Sequence, residues 1–381
     1  MSRTFDVIVV GLGAMGSAAA FHLAAAGARV LGLEQFDIPH SLGSSHGASR
    51  MIRLAYYEHP DYVPLLRRAY TLWEQLEEET GQKLLHITGG LYMGPPTSEV
   101  LSGSLGAARQ HGLAHEQLSR DELAKAFPQF TVPEDYLGLL DHAGGFLLPE
   151  RAIVAHCDLA MRRGAELHGR EAVLEWRSTS GGVEVRTNRE TYSAKQLLFC
   201  GGAWSGKLVA DLGVPLVVTR QVMAWFWPTR EPERFDLGRF PVWAVDAPDA
   251  PFTYGFPIHG DGGVAGLKIA VHYPGPTTDP DRDPRTPTAD DEAALRPLIK
   301  RFFPDADGPL LSARVCLYTN SPDHHFIVDR HPAYPNVTLA CGFSGHGFKF
   351  ASVMGQALSE IALNERSTLP VNFLGLKRLA R

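Results

Sequence analysis

The chain has 381 residues, 44% hydrophobic and 20% charged, with a formal net charge of -6. That length exceeds what one ordinary core organises, so two domains are expected, and the composition excludes disordered and collagen-like chains. The mild acidity gives no electrostatic footprint for nucleic acid or an anionic membrane, so neither partner is expected and small-molecule chemistry comes forward.

The chain opens MSRTFDVIVVGLG, without the basic start, long apolar run and cleavage site of a secretory signal. No stretch reaches the roughly 18 uninterrupted apolar residues of a membrane span. A cytoplasmic protein is therefore expected. FDVIVVGLGAMGSAAAFHLAAAGARVLGLEQ reads as a strand over 7–10, a glycine turn, an alanine-rich helix and a second strand over 30–33, which is a βαβ unit. The spacing Gly11, Gly13, Gly16 is weak evidence by itself. Here it follows a strand, opens a helix and precedes an acid, Glu34, at the end of the second strand, the context of a dinucleotide site. Gly11 makes the tight turn, Gly13 admits a pyrophosphate to the backbone, and Gly16 lets helix and strand pack. The helix start offers free N–H groups and a positive dipole end to the phosphates. A carboxylate at Glu34 would bond a ribose and repel the extra phosphate of NADP, leaving FAD or NAD. The following SLGSSHGASRMIRLAYYEHPDYVPLL is a small-residue loop carrying Ser44, Ser45, His46, Ser49, Arg50 and Arg53 rather than a second crossover. Such a loop suits a cofactor that continues past its pyrophosphate into a buried ring system, which favours FAD.

Helical spacing runs on from Pro60 to a stop at Gly81. HITGGLYMG reads as strand, 98–127 as helix with a polar face, and 150–163 as another helix. GGVEVRTNRETYSAKQLLFCGG predicts a strand, a turn and a buried parallel strand at 197–200 that rejoins the first domain, so the domains interleave. From 217 to 315, segments such as VMAWFWP, FTYGFPI and GGVAGLKIAVHY alternate and predict an antiparallel sheet. PGPTTDPDRDPRTPTADD reads as an exposed linker into a helix near Glu292. The last segment predicts a strand, a glycine turn and a long helix whose N-terminal end faces 345–349, a suitable receptor for the negative charge of a reduced flavin. The fold class expected is α/β plus α+β. A Rossmann-like FAD-binding domain (1–85, 145–216 and 317–381) interleaves with a substrate domain on a mainly antiparallel sheet (86–144 and 217–316).

The four cysteines, Cys157, Cys200, Cys316 and Cys341, show no CxxC pair or zinc spacing and fit a reducing compartment. SARVCLYTNSPDHHFIVD raises a metal site built on Asp323, His324, His325, Asp329 and His331. Neighbouring His324 and His325 would point to opposite sides of a strand, which forms no ligand cluster, so no metal is expected. On its own Cys316 reads as a buried core thiol, as do the other three.

GLGAMGS with Glu34, GSSHGASRMIR, YGFP, GLKIAVH, CLYTNSPDHHFIVD and GFSGHGFKF follow one another along the whole chain. On these stretches it resembles the monomeric sarcosine oxidase and N-methyltryptophan oxidase group of flavoenzymes, within the superfamily of D-amino acid and glycine oxidases. The resemblance implies a thioether from Cys316 to the 8α-methyl group of FAD. It implies that Arg53 and Lys349 grip a substrate carboxylate beside Tyr318, Tyr254 and His272, and that Lys268 promotes the reaction with oxygen near the flavin. It places Arg50, Ser49 and His46 along the flavin; Ser44, Ser45, Gly345, His346 and Lys349 complete the expected cofactor site. Read without it, Lys268 faces solvent on an alternating strand, Tyr318 is core packing and Arg53 is a solvated helix charge. The activity implied is that of a monomer oxidising a secondary amino acid such as sarcosine to an imine, which hydrolyses to aldehyde and amine while oxygen becomes hydrogen peroxide. VWAVDAPDAPFT departs from a sarcosine-restricted pocket, and Trp243 and Ala244 widen the expected range to larger N-alkyl or cyclic amino acids such as N-methyltryptophan or pipecolate. Glycine or D-amino acid oxidation, a dehydrogenase using an electron carrier, and a non-catalytic flavin-binding module are the alternatives.

Overall fold

The computed structural model describes residues 4–379. β1 (Thr4–Val10), α1 (Ala14–Ala25) and β2 (Val30–Leu33) form the expected βαβ unit, with β1 and β2 parallel and Val10 opposite Leu33. On its other side β1 pairs in parallel with Thr191–Phe199, which pairs in parallel with Val337–Cys341. Three distant stretches of chain thus build one buried parallel core, as their near-continuous apolar runs require. The helix Ala351–Asn364 packs on α1 so closely that a Cβ at Gly355 would lie 2.6 Å from Ala18.

The second large sheet runs in the order Leu310–Asn320, Val217–Phe226, Leu267–Tyr273, Phe252–Phe256, Val242–Val245, Gly90–Gly94, Leu137–Asp141, His115–Leu118. Its neighbours are antiparallel except for Val242–Val245 beside Gly90–Gly94. Its core is aromatic, with Phe226, Phe240, Trp243 and Phe303 buried under the helix Ala289–Phe302. Arg50–Ile52, Gly145–Leu147 and Leu85–Ile87 make a small third sheet between the two.

Several local expectations need correction. HITGGLYMG is two strands in different sheets, because Gly89 (φ +76°) breaks the run. The helix expected over 98–127 is two, Glu99–His111 and Arg120–Ala126, with a strand between. Gly112 ends the first in the left-handed region and a Ser119–Glu122 capping box starts the second. Strands Glu166–His168 and Val173–Thr179 went unread; the second is largely exposed, so its apolar signal is faint. The linker before Ala289 is docked rather than free. Lys207 bonds Asp279 and Asp281, the Trp204 indole N–H donates to Asp281 (2.6 Å), and Arg285 donates to the Leu42 carbonyl (2.8 Å). The junctions expected at 85/86 and 316/317 fall inside the strands Leu85–Ile87 and Leu310–Asn320. His324 (φ +59°) and His325 lie in a turn, not on a strand; Asp323 pairs with Arg378, and the His325 ring shares a hydrogen bond with the Tyr62 hydroxyl. Among the described residues no helix is long and apolar enough to cross a membrane.

Candidate active site

β1 ends at Gly11, whose φ of +90° and close approach to the Cys200 carbonyl (2.4 Å from an added Cβ) admit only glycine. A Cβ at Gly16 would lie 1.7 Å from the Gly11 carbonyl oxygen, so α1 begins hard against the turn. At Gly13 the nearest atom would be Ser45 Oγ at 3.5 Å, which leaves the front of the helix start open. The Glu34 carboxylate is fixed over this turn by the Leu12 N–H (2.9 Å) and the Phe36 N–H (3.1 Å), and each oxygen keeps a lone pair for a ligand. A cavity of about 460 Å³ runs from Glu34 past residues 11–14, Ser44 and Ser45 to Tyr318 and Gly345. An acid at one end, an uncovered helix start along its length and a volume in the ordinary range for ligand sites fit an elongated dinucleotide such as FAD.

A second cavity of about 70 Å³ meets the first at Arg50, Tyr318, Gly345 and Phe348. At this junction Gly345 (φ +77°) lies flat on the Tyr318 ring, where a Cβ would come within 2.3 Å. Arg53 and Lys349 both line the small cavity, and both are buried. Arg53 grips Glu58 with two bonds of 2.6 and 2.7 Å, donates to the Ala55 carbonyl (3.2 Å) and lies over the Tyr56 and Tyr57 rings. Lys349 Nζ donates to the His346 carbonyl (2.7 Å); burial and the Arg53 charge push its pKa down to about 7. His346 Nε2 faces the His324 carbonyl (2.9 Å) and so carries the proton, which leaves Nδ1 to accept from the Tyr56 hydroxyl (2.5 Å).

Apart from Arg50, the rest of the lining carries no charge. His272 Nδ1 lies 3.1 Å from the Tyr318 hydroxyl, and burial pushes its pKa down to about 3. Burial also holds the Tyr254 and Tyr318 hydroxyls, 3.4 Å apart, above their usual pKa. Ala244 lines the cavity, but Trp243 points the other way into the sheet core, with its ring 4.7 Å from that of Phe303. Of the two residues expected to reshape the pocket, only Ala244 reaches it.

Cys316 and Tyr318 fall on one face of the Leu310–Asn320 strand and share a buried cluster with Ala48 and Met223, while Leu317 faces the other side. The Cys316 thiol lies 3.4 Å from Arg50 Nη2 and 3.6 Å from the carbonyl of Ser44, a residue of the dinucleotide cavity. Arg50 also donates to the Ser44 carbonyl (2.9 Å) and lines both cavities. Lys268 is buried rather than solvent-facing, and its Nζ donates to the Gly47 carbonyl (2.7 Å), the Ser49 carbonyl (2.8 Å) and Ser49 Oγ (3.2 Å). Burial and Arg50 push its pKa well down, whereas the three acceptors match the three donors of an ammonium. It lines neither cavity and sits directly behind the 47–49 loop. His46 is buried beside it with no partner on either ring nitrogen among the described residues, and burial and Arg50 push its pKa to about 3. Ser44 Oγ donates to the Leu317 carbonyl (2.6 Å), and Ser45 Oγ accepts from the Ala14 N–H (3.3 Å). Glu58, Tyr57 and Phe252 were not singled out from the sequence. The run RLAYYE carries the first two, and only its fold-back onto Arg53 marks them.

Residues 6–361 match the FAD dependent oxidoreductase family. A monomeric sarcosine oxidase from Streptomyces avermitilis is 44% identical over 381 residues, covering 100% of this chain and 99% of the relative. An N-methyl-L-tryptophan oxidase from Salmonella enteritidis PT4 is 34% identical, covering 99% of this chain and all of the relative. The fold matches that of NikD, an unusual amino acid oxidase essential for nikkomycin biosynthesis, with a TM-score of 0.87 at 24% identity over 98% of both chains. With an acid-ended dinucleotide cavity opening onto a small cationic one, the chain belongs to the FAD dependent oxidoreductase family.

Proposed function

We propose that the protein is an FAD-dependent oxidase of small secondary amino acids, of sarcosine size, that delivers electrons to oxygen and releases hydrogen peroxide. The observation that carries this reading is the small cavity bearing Arg53 and Lys349 at the end of the dinucleotide cavity. At roughly 10–15 Å³ per water-sized group, its 70 Å³ holds about five to seven such groups, which suits sarcosine. The names of the relatives, sarcosine oxidase and N-methyl-L-tryptophan oxidase, both point to N-methyl amino acids, and the first also to the small size.

In this reading Gly11, Gly13, Gly16 and Glu34 hold the adenosine and pyrophosphate end of FAD. Ser44, Ser45, Arg50 and Gly345, which line the cavity, would hold the ring end, with His346 and Lys349 on the side of the small cavity and His46 and Ser49 behind the loop. FAD, when bound, supplies a two-electron acceptor that oxygen can reoxidise. Arg53 and Lys349 take the substrate carboxylate as a planar fork and a point charge. Tyr254, His272 and Tyr318 give the amine an uncharged, water-poor surrounding, which favours its neutral, reactive form over the ammonium. Lys268 places positive charge behind the 47–49 loop, where it would stabilise charge developing on oxygen. Cys316 lies behind Arg50 and Ser44, which line the dinucleotide cavity, and is in this reading the tether for the flavin. We take the working form to be a cytoplasmic monomer with a small amino acid and oxygen as its partners.

Two measurements test this. Peroxide release with sarcosine, N-methyltryptophan, proline, pipecolate and glycine should be highest for sarcosine, and no turnover of any secondary amine refutes the activity. Acid-precipitated protein should stay yellow and Cys316→Ala should give a colourless pellet; a colourless wild-type pellet refutes the tether.

A further inference from the structure

The small cavity has a neighbour. Tyr57, Phe252 and His346 line it and also line an outer cavity of about 980 Å³. These three side chains form the neck between a chamber that fits sarcosine and one with room for a far larger group. They are not equally held. His346 is pinned through both ring nitrogens, by the Tyr56 hydroxyl and the His324 carbonyl, and packs 4.6 Å from the Phe326 ring. Tyr57 and Phe252 meet edge to face, centroids 6.0 Å apart and planes at 89°; Arg53 lies over the Tyr57 ring (4.8 Å) and the His272 ring meets Phe252 (5.4 Å), but among the described residues no hydrogen bond ties either ring. Both are only partly buried, and Phe252 sits at a register shift where the ladder with Leu267–Tyr273 is broken. Pro95, Pro248, Pro274 and Tyr273 give the outer cavity one apolar stretch suited to an aromatic or aliphatic group, while Glu99, Asp246 and Asp323 keep the rest of it polar.

We propose that the Tyr57–Phe252 pair is the size filter of the site. An amino acid whose side chain or N-substituent exceeds the inner cavity reacts only when the two rings part, and its excess then lies in the outer cavity. This rests on the oxidase reading above and adds the residues that set substrate range. On the side of Gly345, Tyr318 and Arg53 the inner chamber has no slack, because Gly345 lies against the Tyr318 ring and Arg53 is tied to Glu58.

The test compares kcat/KM for N-methyl-L-tryptophan and for sarcosine, by peroxide release, in the wild type, Phe252→Ala and Phe252→Leu. The wild type should prefer sarcosine, and the ratio of N-methyl-L-tryptophan to sarcosine should rise at least about tenfold in Phe252→Ala and less in Phe252→Leu. Tyr57→Ala should move it in the same direction. A merely structural role would lower both substrates together and leave the ratio alone. A ratio unchanged in every variant that retains bound flavin overturns the filter, as does a wild type that already prefers the tryptophan derivative. A wild type that makes no peroxide from any N-methyl amino acid overturns the oxidase reading and the filter with it, and so is told apart from failure of the filter alone.

Discussion

Replacing Glu58 by glutamine asks whether the protein carries its own competitor for the substrate carboxylate. Arg53 turns a single nitrogen, Nη2, on both Glu58 oxygens at 2.6 and 2.7 Å, and the two side chains are only 6% and 11% exposed, so solvent does little to weaken the pair. A ligand carboxylate that uses Arg53 must displace Glu58 or share it. A hydrogen bond to a charged group contributes about 1.5–3 kcal/mol. Exchanging the carboxylate for a neutral amide should therefore free a comparable amount for the ligand, roughly ten- to hundredfold in affinity. The fold should tolerate the change, because Arg53 keeps the Ala55 carbonyl and its stacking on Tyr56 and Tyr57. Glu58 also raises the pKa of Lys349, so removing its charge pushes that lysine below about 7. The comparison belongs near pH 6, with acetate as the probe and the flavin absorbance as the readout. Tighter acetate binding and a lower KM for sarcosine are the expected result. Weaker binding would mean that Glu58 aims Arg53 rather than competing for it, and unchanged binding would mean that the ligand never meets this guanidinium.

Two further outcomes follow from the same geometry. Burial and Arg53 push Lys349 down to about 7 while Arg53 stays charged, so acetate affinity should be flat from about pH 5.5, where acetate is still ionised, to about pH 7 and fall as the pH rises further. In Lys349→Gln that limb should vanish, and its persistence would assign the titration elsewhere. Lys268→Met should slow oxygen-dependent turnover by about 10²- to 10³-fold while anaerobic bleaching of the flavin by sarcosine is much less affected; equal loss in both would place Lys268 in holding the 47–49 loop instead.

What could be read from the sequence was local. The strand–glycine–helix–acid order around Gly11 and Glu34 lies within about 25 residues and is set by backbone sterics, so pattern and structure agree. The missed features depend on contacts between distant segments. Nothing near Phe252 announces that it will meet Tyr57, and Glu58 looks like a surface acid until residues 53–58 fold back on themselves. Trp243 was misassigned because alternation shows that neighbours face opposite ways but not which face meets the site. The helix expected over 98–127 failed at Gly112, a left-handed stop inside an otherwise helical composition.

The Leu310–Asn320 strand has a consequence for how the site can change. Cys316 and Tyr318 stand two residues apart on one pleat, so the proposed flavin anchor and a wall of the substrate chamber are spaced by a fixed rise of roughly 6.5–7 Å. That strand is a ruler shared by both ligands, and ten partners along Val217–Phe226 keep it from sliding. Inserting or deleting one residue would turn anchor and wall to the far face together, losing both at once. New substrate preferences are therefore open to the chain only on the facing side, around Ala244, Phe252 and Tyr57, where a substitution can reshape the chamber without moving the cofactor.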